Sequence, residues 1–207
     1  MKNIKQMGKF KSEDQLINGS TLEEGAVPLK EAETASGMFI KGLLLFLPAA
    51  AVMAVLTVMR VISADMMPKK MSFGVIAVFM ISMAVCFVLM TVHEYIHALL
   101  FPAEAEKQIW KHPEQNALFV YCTAKVSKNR FIAVCLAPAV ILGIIPFIIW
   151  LLAASALPAA LSWGLLIISW TMTLSAIGDY ANSWNVLRQV PSNALVFNYG
   201  MHTFYKA

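Results

Sequence analysis

The stretch SFGVIAVFMISMAVCFVLMTVHEYIHALLF, residues 72–101, decides the architecture, because Glu94 is its one Asp, Glu, Lys or Arg. An apolar run of at least about 18 residues reads as a helix that crosses a bilayer. This run is longer than a bilayer needs, so the end carrying His93 and His97 tilts or emerges at the interface. Three more stretches qualify: about Met38 to Met59, Phe131 to Ala154, and Leu157 to Gly178. Hydrophobic residues make up 59 % of the 207 and charged residues 14 %, with a mean hydropathy of +0.68. That balance lies outside the range of soluble globular domains. The expected fold is an all-α membrane protein with four transmembrane helices and a loop between spans two and three that holds a short β-hairpin.

Charge sets the orientation. Four spans put both termini on one side together with the loop from Pro102 to Arg130, and this side carries thirteen of the sixteen Lys and Arg residues. The other side has Arg60, Lys69 and Lys70. The positive-inside rule then predicts a multi-pass protein with both termini and this loop in the cytoplasm. The basic side suits anionic lipid, and nucleic acid is not needed to explain it. Residues 1–37 are polar and read as a flexible cytoplasmic tail, 38–190 as the transmembrane unit, and 191–207 as a cytoplasmic C-terminal tail. No cleavable leader is expected before the first span. Pro68-Lys69-Lys70 predicts a short external turn, and Ala154 to Pro158 a second. Cys86, Cys122 and Cys135 are scattered and suggest neither disulfides nor a cysteine zinc site.

An ionisable group inside an apolar span points to function. On a helix, residues four apart share a face, so His93 and His97 can offer two ring nitrogens to one Zn²⁺. Glu94 projects beside the pair, where it can take a proton from a water made acidic by the metal. A catalytic zinc takes three protein ligands, and Asp179, the other acidic residue in or bordering the predicted spans, lies at the same predicted depth as His97. Gly178 would let helices approach closely there. Glu104, Glu106, His112 and Glu114, on the loop after the motif, are alternative ligands. Asn182, one helical turn after Asp179, is a candidate to hydrogen-bond an oxyanion or substrate backbone, and Asn185 is the next amide along. The metzincin pattern is excluded, since Leu100 and Ala103 stand where it needs Gly and His. Residues 117–126 are rich in β-branched and aromatic types and read as one or two strands. An edge strand beside a metal can hold an extended peptide. Pro138, Gly143 and Pro146 in span three mark a kink or a close crossing.

The HEYIH run at the end of a span, Ala137-Pro138 in the next, and Gly178-Asp179 after the last resemble a bacterial family of membrane zincin peptidases, similar in arrangement to the site-2 proteases. The resemblance covers roughly residues 80 to 207 and departs from the site-2 pattern around Asp179, which is flanked by Gly178 and Tyr180. It implies a zinc-dependent intramembrane endopeptidase of a bacterial inner membrane, with His93, His97 and Asp179 on the metal and Glu94 as general base. Its substrate would be a membrane protein or membrane-adjacent peptide. The competing reading is a non-catalytic metal-binding scaffold or sensor in the bilayer. Oligomeric state is left open.

Overall fold

The structure, a computed structural model, describes residues 3–67, 72–113 and 117–207. The expected turn Pro68-Lys69-Lys70 and the alternative ligand Glu114 lie outside them. The polar N-terminal segment holds β1 (Ile4–Lys9), the short helix α1 (Asp14–Ile17) and β2 (Val27–Pro28), followed by the long helices α2 (Ala35–Ser63) and α3 (Phe73–Leu100). The loop after α3 forms β3 (Lys107–His112), β4 (Ala117–Tyr121) and β5 (Val126–Ser127). The third helical passage is α4 (Lys128–Pro138), a π-helical stretch (Ala139–Ile144) and α5 (Ile145–Ala153); α6 (Ala159–Ser175), α7 (Ile177–Gln189) and the hairpin β6 (Leu195–Tyr199), β7 (His202–Lys206) complete the chain.

Three segments, Ala35–Ser63, Phe73–Leu100 and Lys128–Ala153, are long and apolar enough to cross a membrane, and α6 with α7 adds a fourth if the bent pair is one span. Side chains such as Leu44, Val55 and Met59 on α2 and Met80, Phe87 and Val88 on α3 point outward, uncovered by protein. So continuous an apolar surface suits lipid and not water. Thr34, Ser72 and Ser127 accept backbone amide hydrogens at the starts of α2, α3 and α4, satisfying donors each helix would otherwise leave free.

The fold is mostly helical, yet it is not all-α. One sheet has the order β1-β3-β4 and the other β2-β7-β6-β5. The loop does hold a hairpin, β3–β4, but only β4 falls within the residues 117–126 read as strand, while β3 precedes them and β5 pairs with β6 in the other sheet. The segment 1–37 was expected as an irregular tail. Instead β1 runs parallel to β3 with a register shift at Gly8 (φ +84°), and β2 pairs antiparallel with β7. Its partners lie about a hundred residues or more away, and local composition carries no signal of such pairing. The C-terminal segment 191–207 likewise forms a hairpin, turned at Gly200 (φ +59°) and Met201. Glu13 accepts the Met201 amide, while Glu23 pairs with both Lys125 and Lys206, whose ammonium groups hold its carboxyl below the usual carboxylate range.

Glycine positions differ from expectation. A Cβ at Gly178 would meet nothing within 4 Å, so this residue does not permit a helix crossing. Gly42 does, because a Cβ there would lie 1.9 Å from the Ile177 carbonyl oxygen at the α2–α7 seam. Gly143 fulfils the close-crossing expectation for span three, with Thr173 of α6 against it. A Gly42→Leu variant is expected to lose about 3 kcal/mol of stability or more, the upper range for overpacking, because the obstacle is backbone. Thermal melting in detergent should show a fall of many degrees, whereas Gly178→Ala should melt as wild type.

The last predicted span, Leu157 to Gly178, is interrupted. Ala176 (φ −83°, ψ 17°) separates α6 from α7, and the two meet at 45°. The carbonyls released at the break are taken by side chains, Tyr180 Oη donating to Thr173 O at 2.8 Å and Ser175 Oγ to Met172 O at 2.9 Å. The break residue is neither proline nor glycine, and Gly178 follows two residues later inside α7, so the apolar run conceals the break.

Candidate metal centre

His93 and His97 sit one turn apart on the last third of α3, with ring centroids 4.8 Å apart and side chains almost wholly buried. Asp179 lies in the first turn of α7, where a carboxylate suits the helix dipole. The bend after α6 brings it between the two rings. Its Oδ2 is 3.1 Å from His93 Nε2 and its Oδ1 3.4 Å from His97 Nε2. Two motif histidines and the distant aspartate therefore meet at one point.

The spacing fits a metal as well as it fits an ion pair. With zinc–ligand bonds of about 2.0–2.2 Å, neighbouring donor atoms of a tetrahedral shell lie about 3.4 Å apart. Glu94 adjoins the pair, and His93, Glu94 and His97 offer ligand atoms all within 4.8 Å of one another. Without a cation the converging lone pairs of two imidazoles and a carboxylate need shared protons; a dication satisfies them together. The donor set, nitrogen and oxygen only, is one that zinc accepts.

Orientation of His97 comes from span three. Its Nδ1 lies 2.7 Å from the carbonyl oxygen of Val134. That carbonyl would normally accept from the amide four residues later, but the residue there is Pro138, which has no N–H. The freed oxygen takes the His97 Nδ1 proton, which leaves the Nε2 lone pair facing Asp179. Below it the chain enters the π-helical stretch, where Ile145 N bonds Val140 O around Pro146. Pro138, expected with Gly143 and Pro146 to mark a kink or a close crossing, thus also serves the site. The sequence signal was a proline four residues beyond a carbonyl on a neighbouring helix, and only the packing shows which carbonyl matters.

The end of α3 is held by two cations that sequence reading did not single out. Lys107, 2 % exposed, donates from Nζ to Pro102 O and Ala103 O at 2.9 and 3.1 Å, and Arg130 Nε donates to Leu100 O at 2.9 Å. Positive charge at a helix C-terminus is favourable and fixes the turn that carries His97. On another face, Gln6 of β1 donates to Tyr95 Oη within the motif. The backbone amide of Val120, in the outer strand β4, interacts with the Glu94 carboxylate.

The remaining candidates go elsewhere. Glu106 pairs with Lys5 and accepts from Gln108, and His112 lies between Phe10 and Phe119. The backbone carbonyl of Glu104 accepts from Asn3. Asn182 is half-buried on α7 and makes no side-chain hydrogen bond among the described residues. Asn185 turns to α2, where its Oδ1 accepts from Lys41 Nζ.

Neither a curated protein nor a solved structure matches the chain. The sequence model of a family described as "putative zincin peptidase" does match, over residues 86–195, a span that contains His93, Glu94 and His97, the strands β3 to β5, the π-helical stretch and Asp179. More than half of the chain is covered, and the chain belongs to that family.

Proposed function

We propose that this chain is a zinc-dependent membrane endopeptidase, with His93, His97 and Asp179 as the metal ligands and Glu94 as general base. The observation that carries the reading is the convergence of two buried imidazole Nε2 atoms on the Asp179 carboxylate, with a second carboxylate beside them. Zinc bound there would polarise a scissile carbonyl and acidify water near neutral pH. Glu94 takes a proton from the attacking water and passes it to the leaving amine. Val134 holds the His97 ring, and α7 holds Asp179. β4 has β3 on one side and no partner strand on the other among the described residues, so its outer edge can pair with an extended peptide next to Glu94. A helical substrate segment must unwind first, because hydrogen-bonded backbone hides its carbonyls. Substrate and water reach the site from the cytoplasmic side, the side assigned by the basic residues. Asn182 is proposed to contact the substrate backbone, since it is one turn from Asp179 with its amide unengaged among the described residues.

The test uses the full chain purified in detergent. One zinc per chain and hydrolysis of a mixed pool of quenched fluorescent peptides, lost with 1,10-phenanthroline and restored by zinc, are expected. Protein that neither binds zinc nor cleaves after zinc addition would reject the reading. Pro138→Ala supplies the missing N–H to Val134 O and so competes with His97 Nδ1. Zinc affinity is expected to fall by about 10-fold or more, the range for loss of a partner behind a metal-bound histidine. Competitive chelator titration reads this directly.

A further inference from the structure

The last helical passage turns abruptly just before its metal-binding residue. Ala176 separates α6 from α7, and Asp179 is the third residue of α7. Among the described residues no side chain caps the start of this helix, so its first turn is held from outside. The Ile177 carbonyl lies against Gly42 of α2, and the Tyr180 ring stacks on Phe46, one turn further along α2, with 5.7 Å between centroids and 9° between planes. Tyr180 also reaches back over the break. Its Oη donates to Thr173 O at 2.8 Å, and among the described residues this is the one side-chain hydrogen bond that joins α7 to α6. Ser175 Oγ donates to Met172 O within α6, and Ser183 Oγ to Tyr180 O within α7. Thr173 is a firm anchor. It is 1 % exposed, donates through its own hydroxyl to Ser169 O and lies against Gly143 of the π-helical stretch. The Tyr180 ring borders an apolar groove of about 430 Å³, so packing does not close round it and the hydroxyl sets its place.

We propose that Tyr180, with its ring on Phe46 and its hydroxyl on Thr173, is a positioning residue for the metal: by tying α7 to α6 across the break it fixes the turn from which Asp179 reaches both histidines. This role rests on the reading of Asp179 as a metal ligand. An aspartate side chain is short, so its carboxylate goes where the backbone of its turn puts it. With the tie in place Asp179 already stands 3.1 and 3.4 Å from the two Nε2 atoms. Without it the first turn of α7 depends on contacts with α2 alone, and metal binding must supply the order that the fold no longer provides. Tyr180 acts through Asp179, since its hydroxyl is engaged by Thr173.

Cobalt(II) is the probe, because it accepts the same nitrogen and oxygen donors as zinc and its visible absorption reports coordination geometry. The full chain in detergent is titrated as wild type, Tyr180→Phe, Phe46→Leu and Ser175→Ala. Tyr180→Phe removes one oxygen and leaves the ring. Its cobalt affinity should fall about fivefold, the equivalent of one hydrogen bond, and its visible bands should weaken and broaden as Asp179 binds in more than one orientation. Phe46→Leu, which keeps the hydroxyl and removes the stack, should shift affinity in the same direction. Ser175→Ala removes the other side-chain bond at the break, which makes no tie to α7, and should titrate as wild type. Melting of the metal-free proteins checks folding. Wild-type affinity and spectrum in Tyr180→Phe, or in Phe46→Leu should the first not be recovered folded, overturn the proposal even where melting is lowered, because Tyr180 would then serve the fold and not the ligand. Equal losses in Tyr180→Phe and Ser175→Ala overturn it too, since any weakening of the break would then suffice. Wild type that takes up no cobalt rejects the metal reading itself, a result distinct from wild type and variant binding alike.

Discussion

A Glu94→Gln variant is expected to lose peptide hydrolysis by about 10²–10⁴-fold, the usual contribution of a positioned acid–base group, and to keep one zinc per chain. Gln is nearly isosteric with Glu, so the turn of α3 between His93 and His97 stays intact and the two rings keep their spacing. What it removes is the capacity to hold a proton. Glu94 is 9 % exposed and has few neighbours that could replace it: β4 offers only backbone at Val120, and the loop carboxylate of Glu106 is engaged with Lys5 and Gln108. Among the described residues no second base stands ready. Peptide cleavage and zinc content measured on the same preparation separate this outcome from misfolding. Hydrolysis at the wild-type rate would remove Glu94 from the chemistry, and loss of the metal with the activity would make it a ligand.

How much of this could be read in the chain depends on whether the signal was local. Long apolar runs announced the helices of α2, α3 and the third passage, since length and hydropathy alone meet the requirement of a bilayer. His93, Glu94 and His97 were equally plain, because four-residue spacing on a helix is a local property. Asp179 was chosen by matching depths across two spans, and the structure does place it against both rings. The strands β1 and β2 were missed because each needs a partner far away in sequence, whereas β6 and β7 form a local hairpin inside a segment read as a polar tail. The same holds for Val134: its carbonyl matters only because Pro138 leaves it free and α3 packs beside it. Gly178 was credited with a crossing that belongs to Gly42, which shows that a glycine near a functional residue says little until its neighbours are known.

Removing the Asp179 carboxylate is expected to have the largest effect on the metal. The two histidine nitrogens stay on one helix in Asp179→Ala, but a two-ligand site of neutral imidazoles lacks both the third donor and the negative charge that favours a dication. Zinc affinity should fall by more than about 100-fold, beyond the 10–100-fold seen when only a supporting partner of a ligand is lost. Stability offers a second readout. Zinc at about 100 times its dissociation constant stabilises a folded protein by about 2.7 kcal/mol, so zinc should raise the melting temperature of wild type and leave that of Asp179→Ala unmoved. The rival arrangement has Glu94 as third ligand, since its oxygens fall within 4.8 Å of the ring nitrogens. The two arrangements predict opposite pairs of results. With Asp179 on the metal, Glu94→Gln keeps zinc and Asp179→Ala loses it; with Glu94 on the metal, Glu94→Gln loses zinc and Asp179→Ala keeps it. The geometry favours the first, because both Asp179 oxygens already stand at coordination-shell distance from the two Nε2 atoms, and His97 is turned to present that nitrogen by a carbonyl on a third helix.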